Sequence, residues 1–458
     1  MSIDVYLVLL IHGLWGNPSH LSAAKEELQA AWKGEVDWRN ISGSAEDPVI
    51  LEGQKDENSR EELVIMIASG MTSQLTYDGV DVCASRVAWE LDQKVDELKQ
   101  SGKNVIKFSV TGYSLGGLVA RYLVGLLHSR KPSFFDIHKP VSFATLSTPH
   151  YGIPKYNTFL STVLCWLGAR IMSRSGEQLY VVDMYSPEDP RPLLEIMADP
   201  RSVFFQGLEK FERLSIFASA VNDDSVPYPS AAIETLDHFA QWERQGIAVD
   251  TDSAGIIKSW SKDGTEVKYV ERSWSDRFGT LPPVLRYRFP FNYLILFLFP
   301  VMLPLIIILI LARQSLDSSR SKRRLQQLAK TSNPAEYQPT SASGLSIQKL
   351  REIIRHIERE LESDLIQNAE GPSFETIKTK VPPQEVTIKV QLKDSQLRMA
   401  YWLNTLPLRK YLSWWPEVAN AHATAIVRDP HLFPAHERGR GMLKLWAKVV
   451  LGQNTADS

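Results

Sequence analysis

Residues Gly112-Tyr113-Ser114-Leu115-Gly116 form a G-x-S-x-G motif, a pattern that places a serine on a tight turn. The apolar run Val105–Val110 leads into the motif, and apolar residues at helical spacing follow it: Leu118, Val119, Tyr122, Leu123 and Leu126. This order predicts a strand, a sharp turn and a helix, which together present the Ser114 hydroxyl as a nucleophile. The alternative is a glycine-rich turn without chemistry, because a five-residue pattern is weak outside this context.

A second turn could stabilise the negative charge that develops when such a serine attacks an ester. The sequence Ile11-His12-Gly13-Leu14-Trp15-Gly16 directly follows the first apolar run of the chain. A turn of this kind supplies one backbone N–H to an oxyanion hole, and the residue after the serine supplies the other. We therefore predict the N–H groups of Leu14 and Leu115 as the two donors. His12 precedes the serine in the chain, so we predict a structural role for it.

The acid and the base of a serine nucleophile are expected later in the chain, in the order serine, carboxylate, histidine. Asp223 comes just after the apolar run Leu214–Ala220 and is the predicted acid, with its neighbour Asp224 as the alternative. Five histidines follow: His238, His356, His422, His431 and His436. Order and context favour His422 as the base, while His431 and His436 stay open.

Apolar runs that alternate with amphipathic helical segments predict a parallel sheet with helices, the α/β-hydrolase class. The predicted strands are Val5–Ile11, Leu63–Ala68, Val105–Val110, Val141–Leu146 and Leu214–Ala220. The formal net charge is −2, from 51 basic and 53 acidic residues, which argues against a nucleic-acid partner. The two cysteines exclude a disulfide framework, and the chain has no metal-binding motif, so we predict no metal or organic cofactor.

Tyr293–Ala312 is an uncharged stretch of 20 residues with basic residues on both flanks. It is long enough to enter a bilayer, although a buried core helix is the alternative. Ser114 and Asp223 precede it and His422 follows it, so a straight span would separate the base from the nucleophile by roughly 30 Å of hydrocarbon. We therefore predict a membrane-embedded hairpin that bends near Pro300 and Pro304, with both basic flanks, Arg286–Arg288 and Arg320–Arg324, in the head-group layer.

These features divide the chain into four predicted parts. Residues 1–285 form the hydrolase core, with a cap near 153–210 that includes the apolar stretch Tyr156–Met172, and residues 286–313 form the hydrophobic segment. Residues 314–370 are predicted as a basic linker, mainly Leu316–Gly344, followed by an amphipathic helix over Ile347–Leu365. Residues 371–458 return to the core with the base, and the alternation at Val386–Leu392 predicts a further strand there.

Several of these motifs in their order resemble the serine-esterase lipases of fungi, and among them the lipid-droplet phospholipase group. The resemblance covers about residues 3–235 and the last 90, and it rests on the two turns above and on four further motifs: Thr76-Tyr77-Asp78-Gly79, Ser147-Thr148-Pro149-His150, Asn222-Asp223 through Val226-Pro227, and Asn420-Ala421-His422-Ala423. Within that family Ser114, Asp223 and His422 would be the triad. Asp224 departs from the family pattern, which often has a basic residue beside the acid.

The resemblance implies a serine lipase or phospholipase that hydrolyses acyl esters of glycerophospholipids or acylglycerols at a membrane or lipid-droplet surface. It also implies a place on lipid droplets or the endoplasmic reticulum membrane, with the catalytic part facing the cytosol. The N-terminal residues lack a basic stretch with a signal-type cleavage site, which agrees with that expectation. Two alternatives stay open: an acyltransferase on the same fold, and a catalytically silent scaffold tethered to the membrane.

Overall fold

One parallel sheet of six strands carries the candidate active site in the computed structural model. Its strands are β1 (Ile3–Ile11), β2 (Glu61–Ile67), β3 (Lys103–Tyr113), β4 (Lys139–Leu146), β5 (Arg213–Ser219) and β10 (Leu408–Ser413). They lie in the order β10-β5-β4-β3-β1-β2, and every neighbouring pair is parallel. The predicted α/β architecture with a mostly parallel sheet is thereby confirmed.

The structure describes residues 3–33, 61–156, 165, 167–186, 189–262, 265–267, 312–313, 315–327, 378–380 and 390–453. The helices are α1 (Ser22–Lys33), α2 (Val80–Gln100), α3 (Leu115–His128), α4 (Phe134–Ile137), α5 (Ser173–Leu179), α6 (Leu193–Ala198), α7 (Val203–Leu208), α8 (Tyr228–Ala232), α9 (Trp242–Gln245), α10 (315–327), α11 (Asp394–Leu403), α12 (Ala421–Thr424) and α13 (Arg440–Leu451). Two antiparallel pairs lie outside the main sheet: β6 (Ile247–Thr251) with β7 (Ile257–Lys262), and β8 (Thr265–Val267) with β9 (Lys378–Lys380).

Helices cover both faces of the sheet, and the sequence of β1 shows why. Its residues 5, 7, 9 and 11 pack into one buried cluster with α2 and α3, whereas residues 6, 8 and 10 pack into a second cluster with α1 and α13. A strand that is buried on both faces needs apolar side chains at every position, which is the pattern of Val5–Ile11. The C-terminal helix α13 is therefore part of the core.

The edge strand β10 is absent from the predicted strands. Its sequence, Leu408-Arg409-Lys410-Tyr411-Leu412-Ser413, contains two charges and lacks the apolar run of a buried strand. In the sheet, Tyr411 stacks on Phe217 of β5 with ring centroids 4.7 Å apart, and Lys410 pairs with Glu234 at 2.7 Å. Charged residues on an edge strand are common because they prevent pairing with another chain.

Residues 315–327, where the predicted basic linker begins, form helix α10. The guanidinium of Arg324 in this helix pairs with the buried carboxylate of Asp78 at 2.6 Å. A run of charged residues is typical of a solvated segment. The sequence therefore does not indicate that Arg324 meets a buried partner, because only the fold brings Asp78 beside it.

Other predicted segments lie outside the described residues. These are 293–311 of the predicted membrane hairpin, the amphipathic helix Ile347–Leu365 with His356, and 386–389 of the predicted Val386–Leu392 strand. The described end of that strand prediction contains one isolated β-bridge, between Gln391 and Lys155. In the part of the chain that is described, no helix combines the length and apolar character needed to cross a membrane. From the predicted cap, α6 and α7 contribute buried side chains to the cluster with α2 and α3.

Candidate active site

Ser114 lies on the turn between β3 and α3, in a backbone conformation that few residues other than glycine adopt. Its φ and ψ are 54° and −126°. The Ser114 N–H donates to the Leu146 carbonyl of β4 at 2.9 Å, which holds the turn against the sheet. A Cβ atom on Gly112 would overlap the backbone of Gly116, and one on Gly116 would overlap the Ile11 carbonyl. Both glycines of the motif are therefore required by close backbone approach.

Ser114, His422 and Asp223 form a continuous hydrogen-bonded chain. The Ser114 Oγ lies 3.0 Å from His422 Nε2, and His422 Nδ1 lies 2.9 Å from Asp223 Oδ2. The other carboxylate oxygen of Asp223 accepts N–H bonds from Ser225 at 3.1 Å and Val226 at 2.8 Å. Because the carboxylate is held by backbone donors, it can fix the orientation of the imidazole. The side chain of Asp223 is 1% exposed and that of His422 is 12% exposed, so the histidine is more accessible to solvent than the carboxylate that holds it.

The three side chains meet because the strands that carry them are parallel. Ser114 follows β3 and Asp223 follows β5, and β10 leads through a loop to His422 on the short helix α12. Asn222 joins the last two, since its side-chain amide donates to the carbonyls of Trp415 and Pro416 at 3.1 Å each, and its own carbonyl accepts the Ala421 N–H at 3.0 Å. The residue beside the acid thus holds the loop that carries the histidine.

The predicted oxyanion turn lies directly against the serine. A Cβ atom on Gly13 would come within 2.8 Å of the Ser114 Cβ, so a glycine is needed for this approach. Leu115 is the first residue of α3, where a backbone N–H has no carbonyl partner within the helix. Leu14 follows Gly13 in the turn that is closed by the hydrogen bond from the Gly16 N–H to the Gly13 carbonyl, at 3.1 Å. The turn and the helix start therefore flank Ser114.

A family model described as "Putative serine esterase (DUF676)" matches residues 2–234 of this chain. The chain belongs to the DUF676 family. The match contains Ser114 and Asp223 but ends before His422. The expected relationship to fungal serine-esterase lipases is confirmed, because the chain is 35% identical over 128 residues to "Putative lipase C4A8.10" of Schizosaccharomyces pombe and 28% identical over 234 residues to "Putative lipase ROG1" of Saccharomyces cerevisiae.

These alignments cover 28% and 51% of this chain, and 16% and 29% of the two relatives, so the DUF676 chain spans less than a third of either curated relative. Among solved structures, it is similar to the "putative cell surface hydrolase from Lactobacillus plantarum WCFS1", with 16% identity and a TM-score of 0.23 over 50% of this chain and 74% of that one.

The other histidines of the DUF676 chain take up different positions. His12 is buried, its Nδ1 lies 3.1 Å from the Gly13 carbonyl, and burial lowers its pKa to about 4. His436 is also buried, and its Nδ1 accepts the Asp429 N–H at 3.2 Å. His238 packs between the rings of Tyr228 and Trp260, and His431 is exposed. Among the described histidines, His422 is the one that is hydrogen-bonded to Ser114.

Among the described residues, the carboxylate that is hydrogen-bonded to His422 Nδ1 is that of Asp223, not that of the alternative acid, Asp224. Burial and the neighbouring charge of Asp223 raise the pKa of the Asp224 carboxyl. Within the described residues, no group of three or more histidine, cysteine or acidic side chains is arranged to hold a metal ion. Ser114, His422 and Asp223 supply a hydroxyl, an imidazole and a carboxylate in one hydrogen-bonded chain.

The sequence analysis assigns no role to three residues that support this candidate site. The Tyr113 hydroxyl donates to the His422 carbonyl at 3.0 Å, and its ring centroid lies 4.9 Å from that of His422. Asn420 caps α12 by accepting the Ala423 N–H at 3.0 Å. Asn222, at φ 61°, is the third. Asparagine before the acid and asparagine two residues before the histidine are the signals that could have indicated both roles, since asparagine favours caps and left-handed turns.

Proposed function

We propose that this protein is a serine hydrolase that cleaves acyl esters of glycerophospholipids or acylglycerols. The observation that carries the proposal is the hydrogen-bonded chain from Ser114 Oγ to His422 Nε2, at 3.0 Å, and from His422 Nδ1 to Asp223, at 2.9 Å. A nucleophile within reach of a base that is itself oriented by a carboxylate is the arrangement needed for acyl transfer. The lipase names of the fungal relatives support a lipid ester as the substrate.

The reaction follows from this geometry in two steps. The Ser114 oxygen attacks the ester carbonyl carbon while His422 takes the hydroxyl proton, and Asp223 stabilises the resulting imidazolium. His422 then gives that proton to the departing alcohol, which leaves an acyl group on Ser114. In the second step His422 takes a proton from water while the water oxygen bonds to the acyl carbon, and the imidazolium then returns that proton to the Ser114 oxygen as its bond to the acyl carbon breaks and the fatty acid leaves. The N–H groups of Leu14 and Leu115 stabilise the negative oxygen in both steps, and one such donor contributes about 2.7–4 kcal/mol.

The proposed place of action is the lipid-droplet surface, the endoplasmic reticulum membrane, or both, with the catalytic residues facing the cytosol. Its support is the uncharged segment Tyr293–Ala312, which lies in the chain between Asp223 and His422. Because His422 contacts both Ser114 and Asp223, the chain before the segment and the chain after it belong on the same aqueous side. A hairpin in one leaflet or in a droplet monolayer satisfies this requirement, and a single span does not.

A fluorophosphonate probe and labelled lipid test the proposed activity. The purified protein is expected to react covalently at Ser114, and Ser114→Ala is expected to abolish both labelling and release of fatty acid while the protein remains folded. Incubation of the wild-type protein with acyl-labelled phospholipid and monoacylglycerol, with and without an added alcohol, then identifies the acceptor. Free fatty acid as the main product supports a hydrolase, and transfer of label to the alcohol would identify the acyltransferase alternative. A folded wild-type protein that does not react would support the silent scaffold.

A further inference from the structure

The buried carboxylate of Asp78 is held by two arginines, one near it in the chain and one far from it. Asp78 has a fully buried side chain, and its oxygens lie 2.6 Å from Arg86 Nη2 and 2.6 Å from Arg324 Nη2. The Nε of Arg324 donates to the same carboxylate at 3.0 Å and 3.2 Å, so the contact is bidentate. A planar guanidinium that meets a carboxylate through two donors gives a bond of fixed geometry.

Arg324 brings a whole helix to this position. Its helix, α10, buries one face through Asp317, Ser318 and Ser321, whereas Lys322 and Arg323 are exposed. The Arg324 Nη2 also donates to the Gln74 carbonyl at 3.0 Å. The side chain of Arg324 is only 13% exposed. These contacts make α10 a docked element, although 246 residues separate Arg324 from Asp78 in the chain.

The segment that receives Arg324 is bonded to the oxyanion turn at three points. Gln74 belongs to the short 3-10 helix Ser73–Tyr77, and Asp78 is the next residue. The Ser73 N–H donates to the Gly16 carbonyl at 2.9 Å, the Trp15 N–H donates to the Thr76 hydroxyl at 3.2 Å, and the Trp15 indole N–H donates to the Tyr77 hydroxyl at 2.8 Å. Trp15 follows the proposed donor Leu14 and is held at φ 55°. Such a conformation persists only where surrounding contacts enforce it.

We propose that Arg324 is a positioning residue for the oxyanion turn. It fixes Asp78 and the Gln74 carbonyl, these fix the Ser73–Tyr77 helix, and that helix holds Trp15 and hence the Leu14 N–H beside Ser114. The inference rests on the proposed serine hydrolase function. It assigns a role in catalysis to a residue outside the triad, on helix α10, which follows the uncharged segment Tyr293–Ala312. An oxyanion donor acts only in a narrow geometry, so a small displacement lowers turnover without changing substrate binding in proportion.

Replacing Arg324 leaves Asp78 a partner, because Arg86 remains in place. For this reason Arg324→Ala is expected to fold, and its effect on the site can be measured. Arg323→Ala is the matched control, since Arg323 is the neighbouring basic residue on the exposed side of the same helix. Arg324→Lys keeps the charge but lacks the planar fork, so it separates charge from geometry.

The experiment measures kcat and KM for a water-soluble butyrate ester, the rate of fluorophosphonate labelling of Ser114, and the melting temperature of each variant. For Arg324→Ala we expect kcat and the labelling rate to fall together by about 10- to 100-fold, with KM changed by less than about 3-fold. Arg324→Lys should be intermediate, and Arg323→Ala should match the wild type. An equal loss on an emulsified long-chain ester is expected, because the oxyanion turn serves every ester.

Unchanged kcat on the soluble ester in a folded Arg324→Ala protein would overturn the proposal. A loss confined to the emulsified ester would overturn it as well, because that result assigns Arg324 to lipid binding. If Arg324→Ala does not fold, kcat of Arg324→Lys on the soluble ester is compared with that of the wild type. A lower kcat then supports the proposal, and an unchanged kcat overturns it. Failure of the wild-type protein to react at Ser114 would contradict the proposed function and this inference together, whereas a reactive wild type with an unaffected variant contradicts only this inference.

Discussion

At the scale of single residues, the candidate site depends on a few side chains whose bonds run between separate loops. Ser114, His422 and Asp223 form one chain of hydrogen bonds, and Asn222 links the loop of the acid to the loop of the histidine. Because these groups act together, the loss of one is expected to remove most of what the others contribute.

His422→Ala is expected to lower kcat/KM for ester hydrolysis by at least about 10³-fold, as strongly as Ser114→Ala, because the serine then has no base. The double variant should be no slower than either single one. The control is His431→Ala, which removes an exposed histidine and should retain activity near that of the wild type. Steady-state kinetics of the four proteins check the prediction, and an active His422→Ala would transfer the role of base to another residue.

Asn222→Ala is expected to lower kcat about 10-fold and to cost about 1–3 kcal/mol of unfolding free energy. It removes the two amide bonds to Trp415 and Pro416 and places an alanine at φ 61°. Asn222→Gly separates these causes, because glycine tolerates the left-handed backbone but cannot make the bonds. If Asn222→Gly is as active as the wild type, the amide bonds do not position His422.

At the scale of elements, the parallel strands bring the site residues to one edge of the sheet. The C-terminal helix α13 packs beside α1 on one face of that sheet. Trp446 of α13 is fully buried, and its indole N–H donates to the Thr111 hydroxyl of β3, two residues before Tyr113, at 3.2 Å. Tyr6 of β1 also donates to the Val450 carbonyl, at 2.8 Å. The helix is therefore part of the support of the strand that carries the serine.

Trp446→Ala is expected to lower the unfolding free energy by about 3–5 kcal/mol, the usual cost of removing a large buried aromatic side chain. Lys448→Ala on the exposed side of the same helix is the control and should change stability by less than about 0.5 kcal/mol. Urea unfolding followed by tryptophan fluorescence and far-UV circular dichroism measures both. A small effect of Trp446→Ala would show that α13 contributes little to the core.

At the scale of the whole molecule, chain order constrains the proposed membrane arrangement, and the burial of histidines affects how stability depends on pH. The nucleophile and the base come from opposite sides of the uncharged segment, and Arg324, just after it, contacts Asp78, which precedes it. Several histidines of the core are buried with a lowered pKa.

Tags inserted before Arg286 and after residue 327 should both be accessible from the cytosol, because Ser114 and His422 must meet in one compartment. Protease protection or membrane-impermeant biotinylation of intact membranes measures this accessibility. A tag in a lumenal loop of a resident membrane protein serves as the control for sealed membranes. Accessibility of the two tags from opposite sides would refute the hairpin.

Stability should fall as the pH drops below neutrality, in part because of His436. Burial lowers the pKa of His436 to about 4, so from about pH 6.5 downward the unfolded chain binds a proton that the folded chain does not. This costs the folded state roughly 1.4 kcal/mol per pH unit for one histidine. His436→Asn keeps an acceptor for the Asp429 N–H but does not titrate. Its stability relative to the wild type should therefore improve by about 2 kcal/mol between pH 7 and pH 5 in urea unfolding. Parallel pH profiles of the two proteins would contradict the role of His436.

The sequence by itself determined the features that depend on local order: the apolar strands of a doubly covered sheet, the serine turn with its two glycines, and the order of the candidate nucleophile, acid and base. Each is encoded within a few consecutive residues, so it is visible without the fold. Only the tertiary structure brought His422, rather than His431 or His436, within hydrogen-bond distance of Ser114. It also placed Asn222 against the histidine loop and joined Arg324 to Asp78. These contacts link residues that are far apart in the chain, so local sequence patterns do not reveal them. Strand β10 and helix α10 could not be predicted for the same reason. Their polar sequences gain partners only when other elements of the fold lie beside them.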